Sequence, residues 1–185
     1  MVKKKIGLAG KSGSGKDLVA DYIGERYGYK KIAVADAIRE EVEQFIQSWF
    51  GWLAVIAPVD SIITAFKAMV WEKPTHPAMR VLLQWWGTEF RRSQDSQYWT
   101  KILATKLANE FQIVISDIRT PEEMAEVRAA GGEVWFIERL GVAPVGMKNH
   151  LTEVALEGAE FDRTIKNDGT IQELFDKIDW LFRET

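Results

Sequence analysis

The sequence predicts an α/β fold, in which a parallel sheet is flanked by helices on both faces. Its short apolar runs, such as residues 6–9 and 113–115, lack polar alternation and are typical of strands buried on both sides. These runs alternate with segments of helical periodicity, which is the order that produces a parallel sheet. Ligands of such sheets bind at the carboxyl ends of the strands, so the residues that follow each strand are the candidates for function.

A glycine-rich loop follows the first of these strands. Residues 10–17 have the sequence GKSGSGKD, and a helical run over residues 18–27 comes next. The loop matches the phosphate-binding pattern G-x-x-x-x-G-K-[ST] at every position but the last. Its glycines let the backbone take positive φ, so that N–H groups converge on phosphate oxygens at the helix N-terminus. The predicted fold is therefore the three-layer fold of the P-loop NTPases, and the alternative is a strand–helix turn without a ligand. The predicted ATP-binding residues of the loop are Gly10, Ser12, Gly13, Ser14, Gly15, Lys16 and Asp17.

Two charged residues close this loop. Lys16 is predicted to be catalytic, because its ammonium group would lie against the β- and γ-phosphates. Asp17 stands where a hydroxyl residue normally binds Mg²⁺. A carboxylate there repels the triphosphate unless it faces the metal or caps the helix, so Asp17 is a candidate metal ligand.

The next part of the chain, residues 35–110, is predicted to be a helical region that binds the substrate. A second strand over residues 31–34 leads to Asp36, which either reaches the cleft or caps a helix. Residues 49–75 are rich in aromatic side chains, and we expect helices that cover one side of the sheet and could wall a nucleobase pocket. The predicted helices of this region also include residues 38–46, residues 80–92 as far as Gly87, and residues 99–111.

Four polar residues recur at every fourth position in one of these helices. They are Arg80, Gln84, Thr88 and Arg92. They share one face if the helix continues through Gly87. Guanidinium groups bind phosphate oxygens in pairs, so this face is a candidate site for a second phosphate. A purely structural helix with a solvated face would show the same series.

Asp117 ends the clearest strand of the sequence, residues 113–115 followed by Ser116. P-loop proteins hold Mg²⁺ with a carboxylate at this position, and the metal bridges the β- and γ-phosphates. The alternative is a carboxylate that caps the following turn or pairs with Arg119. The remaining predicted elements are a helix from Pro121, a strand over residues 134–137, a loop-rich segment over residues 138–160, a strand over residues 163–165 and a helix over residues 171–182.

Composition excludes several classes of protein. The 185 residues fit one domain, and the absence of cysteine removes disulfides, thiolate metal sites and a cysteine nucleophile. The two histidines, His76 and His150, are too far apart in sequence to indicate zinc, which leaves Mg²⁺ as the expected metal. The net charge of −3 argues against nucleic acid as a partner. We expect no membrane partner and a cytoplasmic location, since no signal peptide precedes the glycine loop and the longest apolar run, residues 49–59, is too short to span a bilayer.

The sequence shows no catalytic base near these motifs, and this indicates which chemical group accepts the phosphoryl group. No Ser-His-Asp set, catalytic cysteine or suitable histidine accompanies them. A phosphate monoester has a second pKa of about 6, so its oxygen is already a nucleophile at neutral pH. Catalysis then needs only positioning, charge neutralisation and the exclusion of water. A phosphate acceptor is therefore favoured over an alcohol.

With these motifs together, the sequence resembles the bacteriophage deoxynucleoside monophosphate kinases. The resemblance covers most of the chain and includes aspartate after the lysine of the loop. Leu18 departs from the threonine expected at its position, so the task of that hydroxyl would pass to Ser14, Asp17 or water. The residues that carry the resemblance are 13–17, 83–84, 87–89 with Arg92, 116–119 with Pro121 and Glu123, and 167–170.

The resemblance implies roles at both ends of the reaction. Arg119 and Arg139 would be catalytic together with Lys16 and Asp117, and the metal would be held by Asp17 and Asp117. The implied substrate-binding residues are Asp36, Arg80, Gln84, Thr88, Glu89, Arg92, Arg119, His150 and Glu153.

Two further segments have roles by the same resemblance. Residues 138–160 would form a lid that closes over the phosphates and excludes water. Asn167, Gly169 and Thr170 would lie near the adenine of ATP. The alternative for this last segment is a glycine turn in which Thr170 caps the final helix.

The sequence thus predicts an Mg²⁺-dependent kinase that transfers the γ-phosphoryl group of ATP to a deoxynucleoside monophosphate and so supplies DNA precursors. If the chain is phage-encoded, its expected location is the host cytoplasm. One alternative is dephospho-coenzyme A kinase, whose hydroxyl acceptor needs a base such as Asp36. Another is a module that binds ATP without transferring phosphate. A homodimer is a further expectation if the tryptophans prove to be exposed.

Overall fold

The computed structural model describes residues 4–51, 60–72, 75–141, 156 and 158–184. They form two compact units, residues 1–34 with 100–185 and residues 35–99. His150, Glu153 and most of the predicted lid segment lie outside the described residues. The elements in chain order are β1 (Lys5–Ala9), α1 (Lys16–Tyr27), β2 (Lys30–Ile32), α2 (Val34–Gly51), α3 (Asp60–Trp71), α4 (Pro77–Trp85), a π-helical turn (Trp86–Phe90), α5 (Arg91–Gln94), α6 (Tyr98–Asn109), β3 (Ile113–Ile118), α7 (Pro121–Ala129), β4 (Glu133–Glu138), β5 (Arg163–Lys166) and α8 (Ile171–Arg183).

The first unit is built on a five-stranded sheet with the strand order β2-β3-β1-β4-β5. Every pairing in it is parallel. The central strand is β1, and Ala9 at its end pairs with Ile118 of β3 and Phe136 of β4. The segments that follow β1, β3 and β4 therefore leave the sheet at the same edge. The predicted parallel α/β fold is confirmed.

The core of this unit lies on both faces of the sheet, because alternate residues of a strand point to opposite sides. One face packs against α1 and α8, and the other packs against α6 and α7. The first cluster includes Ile6, Leu8, Val19, Ile23, Leu174 and Ile178. The second includes Leu103, Leu107, Ile113, Ile115, Met124 and Val127.

Three details differ from the sequence-based expectations. Asp36 lies in the first turn of α2 and not at the end of a strand, because the helix already begins at Val34, whose amide is capped by Asp117. The helical path does not end at Gly87 but continues through a π-helical turn into α5. The helical unit stops at Trp99, and residues 100–110 belong to the first unit because Leu103 and Leu107 pack in the core of the sheet.

The second unit is organised around the carboxylate of Glu41 on α2. It accepts hydrogen bonds from Nε1 of Trp86 at 2.9 Å, from Nε of Arg91 at 2.7 Å and from the hydroxyl of Tyr98. Burial alone would raise the pKa of Glu41, but these three donors outweigh it and lower the pKa below its ordinary value. In both units, as far as the chain is described, each helix is too short or too polar to cross a membrane.

Candidate active site

The glycine-rich loop has the geometry of a phosphate cradle. Gly10, Gly13 and Gly15 have φ angles of 143°, 78° and 100°, in the region that favours glycine. A Cβ atom at Gly10 would lie 2.5 Å from a carbonyl oxygen of β4, and one at Gly15 would lie 2.7 Å from Nδ2 of Asn167. The loop ends where α1 begins, at Lys16. Backbone N–H groups at a helix N-terminus are the usual binding site for a phosphate, so the loop fits this ligand.

The side chain of Lys16 folds back over the loop that precedes it. Its Nζ donates to the carbonyl oxygens of Gly10 at 2.6 Å and Lys11 at 2.7 Å. The positive charge is thus held at the cradle itself. Phosphate oxygens are stronger acceptors for an ammonium group than these carbonyls and can replace them.

Ser14 supplies an unusual buried hydroxyl within the loop. Its residue is 1% exposed, and its Oγ has no hydrogen-bond partner in the described part of the chain. A buried hydroxyl without a partner is costly, and such a group in a loop of this shape indicates a site that binds a ligand. Ser14 can therefore provide the hydroxyl that Leu18 lacks.

Asp117 stands at the carboxyl end of β3, the strand next to β1. Its Oδ1 accepts a hydrogen bond of 2.7 Å from the amide of Val34, the first residue of α2. The carboxylate therefore caps the start of α2, and not the turn that follows β3, which was the alternative that the sequence offered. It does so at the sheet edge to which the glycine loop also leads, which is the position of a metal-binding carboxylate.

Asp17 is exposed at the first turn of α1 and faces β2. Its Oδ1 lies 3.2 Å from Nζ of Lys31, which also forms an ion pair of 2.7 Å with Asp21. Sequence reasoning missed Lys31 as a site residue, because its partner Asp17 lies 14 positions earlier in a different element. The signal in the sequence is Asp17 itself, because a carboxylate that would repel the phosphates calls for a nearby cation.

The first unit contains carboxylates, and their oxygen atoms are suitable ligands for Mg²⁺. Across residues 4–51, 60–72, 75–141, 156 and 158–184, no three His, Asp or Glu side chains converge as a protein-only metal cage. Mg²⁺ in nucleotide sites is usually held by one or two carboxylates, with phosphates and waters completing its shell. Asp117 is a described carboxylate that could serve this purpose, whereas Asp17 is paired with Lys31 and its predicted metal role stays a prediction.

The backbone that carries Arg119 is fixed by Glu123. Oε2 of Glu123 accepts from the amides of Arg119 at 2.8 Å and Thr120 at 3.2 Å. In return Oγ1 of Thr120 accepts from the amide of Glu123, which completes a capping box at the start of α7. Glu123 is 3% exposed, whereas the side chain of Arg119 is exposed to solvent.

A cleft of about 240 Å³ opens beside the glycine loop in the first unit. Lys16 and Arg119 both line it and, together with Lys11, make it positively charged. The rings of Phe136 and Phe161 stack with centroids 4.6 Å apart and form part of its apolar wall. The other lining residues are Gly10, Lys11, Ser12, Ile118, Leu156, Gly158 and Ala159. The cleft suits an anionic ligand with an apolar body.

The segment after β5 supports the glycine loop. Nδ2 of Asn167 donates to the carbonyl oxygen of Ser14 at 2.8 Å. Thr170 is the N-cap of α8, where it forms a capping box with Glu173. The capping interpretation of this segment is thus correct, while a contact of Asn167, Gly169 or Thr170 with adenine stays a prediction. Arg139 also reaches the loop, with Nη1 at 3.5 Å from the carbonyl oxygen of Gly13.

In the second unit, a π-helical turn aligns the predicted polar face. The amide of Arg91 donates to the carbonyl of Trp86, five residues earlier. In a regular α-helix, Arg92 would be rotated by about 120° around the axis from Arg80, twelve residues earlier. A π-helical turn holds one extra residue, which reduces this angle to about 20°. By these angles the turn would keep Arg80, Gln84, Thr88 and Arg92 near one face of the helical path, and all four are half-buried.

The other two predicted substrate residues of this unit lie elsewhere. Glu89 is exposed, one position after Thr88. Asp36 forms an ion pair with Arg39 at 3.1 Å within the first turn of α2.

The chain matches one family model, described as deoxynucleotide monophosphate kinase, over residues 55–178. This range contains the polar face of residues 80–92, Asp117, and the segment of residues 167–170. The glycine loop lies before it, so the assignment of that loop depends on its own sequence and geometry.

Two curated proteins from phages are similar to this chain. The deoxynucleotide monophosphate kinase of Escherichia phage RB69 is 33% identical over 112 residues, which cover 57% of this chain and 45% of that protein. The protein of the same name from Enterobacteria phage T4 is 33% identical over 107 residues, which cover 55% and 44%. The matched part of this chain thus spans less than half the length of these relatives.

A solved structure similar to this one is shikimate kinase from Aquifex aeolicus vf5. Its TM-score is 0.50 at 16% sequence identity, and the alignment covers 97% of this chain and 96% of that chain. Similarity at this level of identity concerns the fold alone. It confirms the predicted three-layer α/β fold, in which a parallel sheet is flanked by helices.

Proposed function

The chain belongs to the deoxynucleotide monophosphate kinase family, and on that premise we propose that it transfers the γ-phosphoryl group of ATP to a deoxynucleoside monophosphate. The observation that carries this function is the pair of cations in one cleft. The cleft beside the glycine loop is lined by Lys16 at the loop and by Arg119 after β3. A donor phosphate chain and an anionic acceptor each need a cation, and this cleft offers both next to one phosphate cradle.

On the donor side, the amides of the glycine loop and Lys16 would bind the β- and γ-phosphates. The buried hydroxyl of Ser14 would find a phosphate or metal-bound partner there. Mg²⁺, when bound, would supply charge neutralisation, and Asp117 is the residue that would hold it, since Asp17 is paired with Lys31 on the side of β2.

Arg80 and Arg92, in the second unit, are proposed as substrate-binding residues by the family resemblance alone. In the first unit, Arg119 would bind the monophosphate of the acceptor. An oxygen of this dianion attacks the γ-phosphorus, the bond from that phosphorus to the β-γ bridging oxygen breaks, and ADP leaves with the electron pair. The acceptor oxygen has no proton to lose, so no general base is needed. The apolar wall around Phe136 and Phe161 would exclude water, which otherwise competes as acceptor.

Transfer to a hydroxyl, as in dephospho-coenzyme A kinase, is not favoured by any observation here. That reaction needs a base, and the candidate Asp36 is engaged by Arg39 at 3.1 Å. A module that binds ATP without transferring phosphate would not need an arginine in the same cleft as the cradle.

The proposal is tested by ADP formation from ATP and Mg²⁺ with each deoxynucleoside monophosphate, each ribonucleoside monophosphate and dephospho-coenzyme A. Turnover is expected with one or more deoxynucleotides and not with Lys16→Ala, whose folding is checked by circular dichroism. Turnover with dephospho-coenzyme A alone would select the other kinase. Nucleotide binding without turnover on any acceptor would select the binding module.

The expectation of a homodimer depended on exposed tryptophans. In the second unit Trp49 is 60% exposed and Trp85 is 47% exposed, so that condition is met. Dimer formation stays a prediction, and the mass of the protein in solution by light scattering tests it.

A further inference from the structure

Asp17 places a negative charge where the proposed donor must bind. The carboxylate lies in the first turn of α1, next to Lys16, and the positive end of that helix is the phosphate site. A carboxylate that turned towards the loop would compete with the phosphates for the same N–H groups. An ion pair with Lys31 keeps the Asp17 carboxylate away from these N–H groups.

Lys31 holds Asp17 on the side of β2. Its Nζ lies 3.2 Å from Oδ1 of Asp17, 3.4 Å from the carbonyl oxygen of the same residue and 2.7 Å from Oδ1 of Asp21. Lys31 is in the middle of β2 and pairs with Val114 of β3, so the sheet fixes the backbone from which its side chain extends. The lysine ammonium group is charged at neutral pH, so both contacts are ion pairs.

From this geometry we propose that Lys31 is a positioning residue of the phosphate-binding loop. It neutralises Asp17 and holds its carboxylate against β2, which leaves the N-terminus of α1 available to the anionic donor. The inference depends on the proposed function in one respect, that the loop binds a nucleoside polyphosphate. It does not depend on the acceptor or on transfer.

The test is a double-mutant cycle on nucleotide binding. A fluorescent ADP analogue is titrated in EDTA, so that neither a metal nor turnover enters the measurement. The four proteins are the wild type, Lys31→Met, Asp17→Ser and the double variant. We expect Lys31→Met to weaken binding about tenfold at low salt, since an uncompensated carboxylate then faces a polyanion. In the Asp17→Ser background, Lys31→Met should lower the affinity at most about twofold, because no carboxylate is left at position 17 for Lys31 to hold.

Three controls separate this role from stability and from net charge. Lys30→Met removes a lysine of the same strand, whose partner is Glu110. It should lower the nucleotide affinity at most about twofold, because only the change in net charge acts on the ligand. Lys31→Arg keeps the charge and should retain most of the affinity. Thermal unfolding of each variant reports the loss of the ion pair as a structural contact, and Lys31→Gln replaces Lys31→Met if the latter does not fold.

The outcomes of the cycle distinguish the role of Lys31 from the nucleotide site itself. A loss that disappears in the Asp17→Ser background and shrinks at high salt supports the proposal. An equal loss in both backgrounds, or a loss matched by Lys30→Met, overturns the role of Lys31 while leaving the nucleotide site intact. If the wild type itself does not bind the analogue, the proposed function fails, and the role of Lys31 fails with it.

Discussion

The side-chain amide of Asn167 donates a hydrogen bond of 2.8 Å to the carbonyl oxygen of Ser14, across 153 residues of sequence. The same Nδ2 occupies the space that a Cβ atom on Gly15 would need. The backbone amide of Asn167 is itself bound to the carbonyl of Glu138 at 2.7 Å. Asn167 thus ties the glycine loop to the end of β4, and its contact is with the part of the loop that is expected to bind phosphate.

Asn167→Ala should therefore weaken the binding of adenine and guanine nucleotides by the same factor. Loss of one hydrogen bond in a partly buried site is worth about 1 kcal/mol, or about fivefold in affinity. Fluorescent ADP and GDP analogues measure both affinities. Asp168→Asn is the control, since Asp168 is paired with Lys177 at 2.8 Å and should leave binding unchanged. A loss confined to the adenine nucleotide would instead assign Asn167 to the base.

A second long-range contact stabilises the π-helical turn. Such a turn leaves carbonyl groups without their usual partners, and Nε1 of the buried Trp99 donates to the carbonyl of Gly87 at 2.8 Å. Trp99→Phe keeps an aromatic ring but leaves this carbonyl unsatisfied, which should lower the free energy of unfolding by about 1–3 kcal/mol. It should also raise the acceptor KM more than the ATP KM, because Thr88 and Arg92 lose their alignment with Arg80.

Urea unfolding and initial rates measure these two effects. Trp85→Phe is the matched control, since Trp85 precedes the turn and is 47% exposed. Equal losses of stability in the two variants would show that the indole donor to Gly87 does not matter.

The features that sequence predicted well are local. The glycine loop between a strand and a helix, the strand that contains Asp117 and the cap at Thr120 are each encoded within about ten consecutive residues, so pattern alone identified them. The parallel sheet followed from the alternation of such segments. The boundary at Asp36 was missed because the donor–acceptor pair that starts α2 joins Val34 to Asp117, 83 positions apart.

The features that sequence did not reveal depend on contacts between distant elements. Gly87 suggested a helix end, because glycine is a poor helix former. In the structure Gly87 lies within the helical path, and Ile38 packs close to it, with Cδ1 2.8 Å from the place where a Cβ atom would lie. The pairing of Lys31 with Asp17 depends on the strand order, which places β2 at the edge of the sheet. No periodicity in the sequence marks either relationship.

Stability should fall as the pH rises above 10, because tyrosines are held protonated in the fold. Burial, followed by the hydrogen bond that Tyr27 donates to Asp179 at 2.7 Å, raises the pKa of Tyr27 from 10.0 to about 12. The folded state therefore keeps a proton that the unfolded state loses, and its stabilising effect is complete below pH 10 and lost as the pH passes 12. Tyr27→Phe should lose less stability than the wild type between pH 9 and pH 12, measured by urea unfolding at each pH. Parallel losses in the two proteins would contradict this assignment.

Acidification should weaken the second unit through Glu41. Its pKa is lowered from 4.5, so the folded state holds fewer protons than the unfolded state and the contribution of Glu41 is lost as the pH falls below 4.5. Glu41→Gln should show a shallower loss of stability on the acid side, because the residue no longer titrates. The measurement is thermal unfolding between pH 7 and pH 3. An unchanged acid slope would mean that Glu41 does not titrate differently in the two states.

Glu123 connects a buried cap to the proposed acceptor site. Because its carboxylate fixes the amides of Arg119 and Thr120, Glu123→Ala should both destabilise the fold, by about 1–3 kcal/mol, and raise the acceptor KM through the displaced Arg119. Glu123→Gln retains an oxygen acceptor and should recover most of both losses. The capping box at α8 offers the matched control, since Glu173→Ala removes the same kind of cap away from Arg119 and should leave the acceptor KM unchanged. If Glu123→Ala lowers stability with no change in the acceptor KM, then the cap serves α7 alone, and Arg119 either keeps its position without it or does not contact the acceptor.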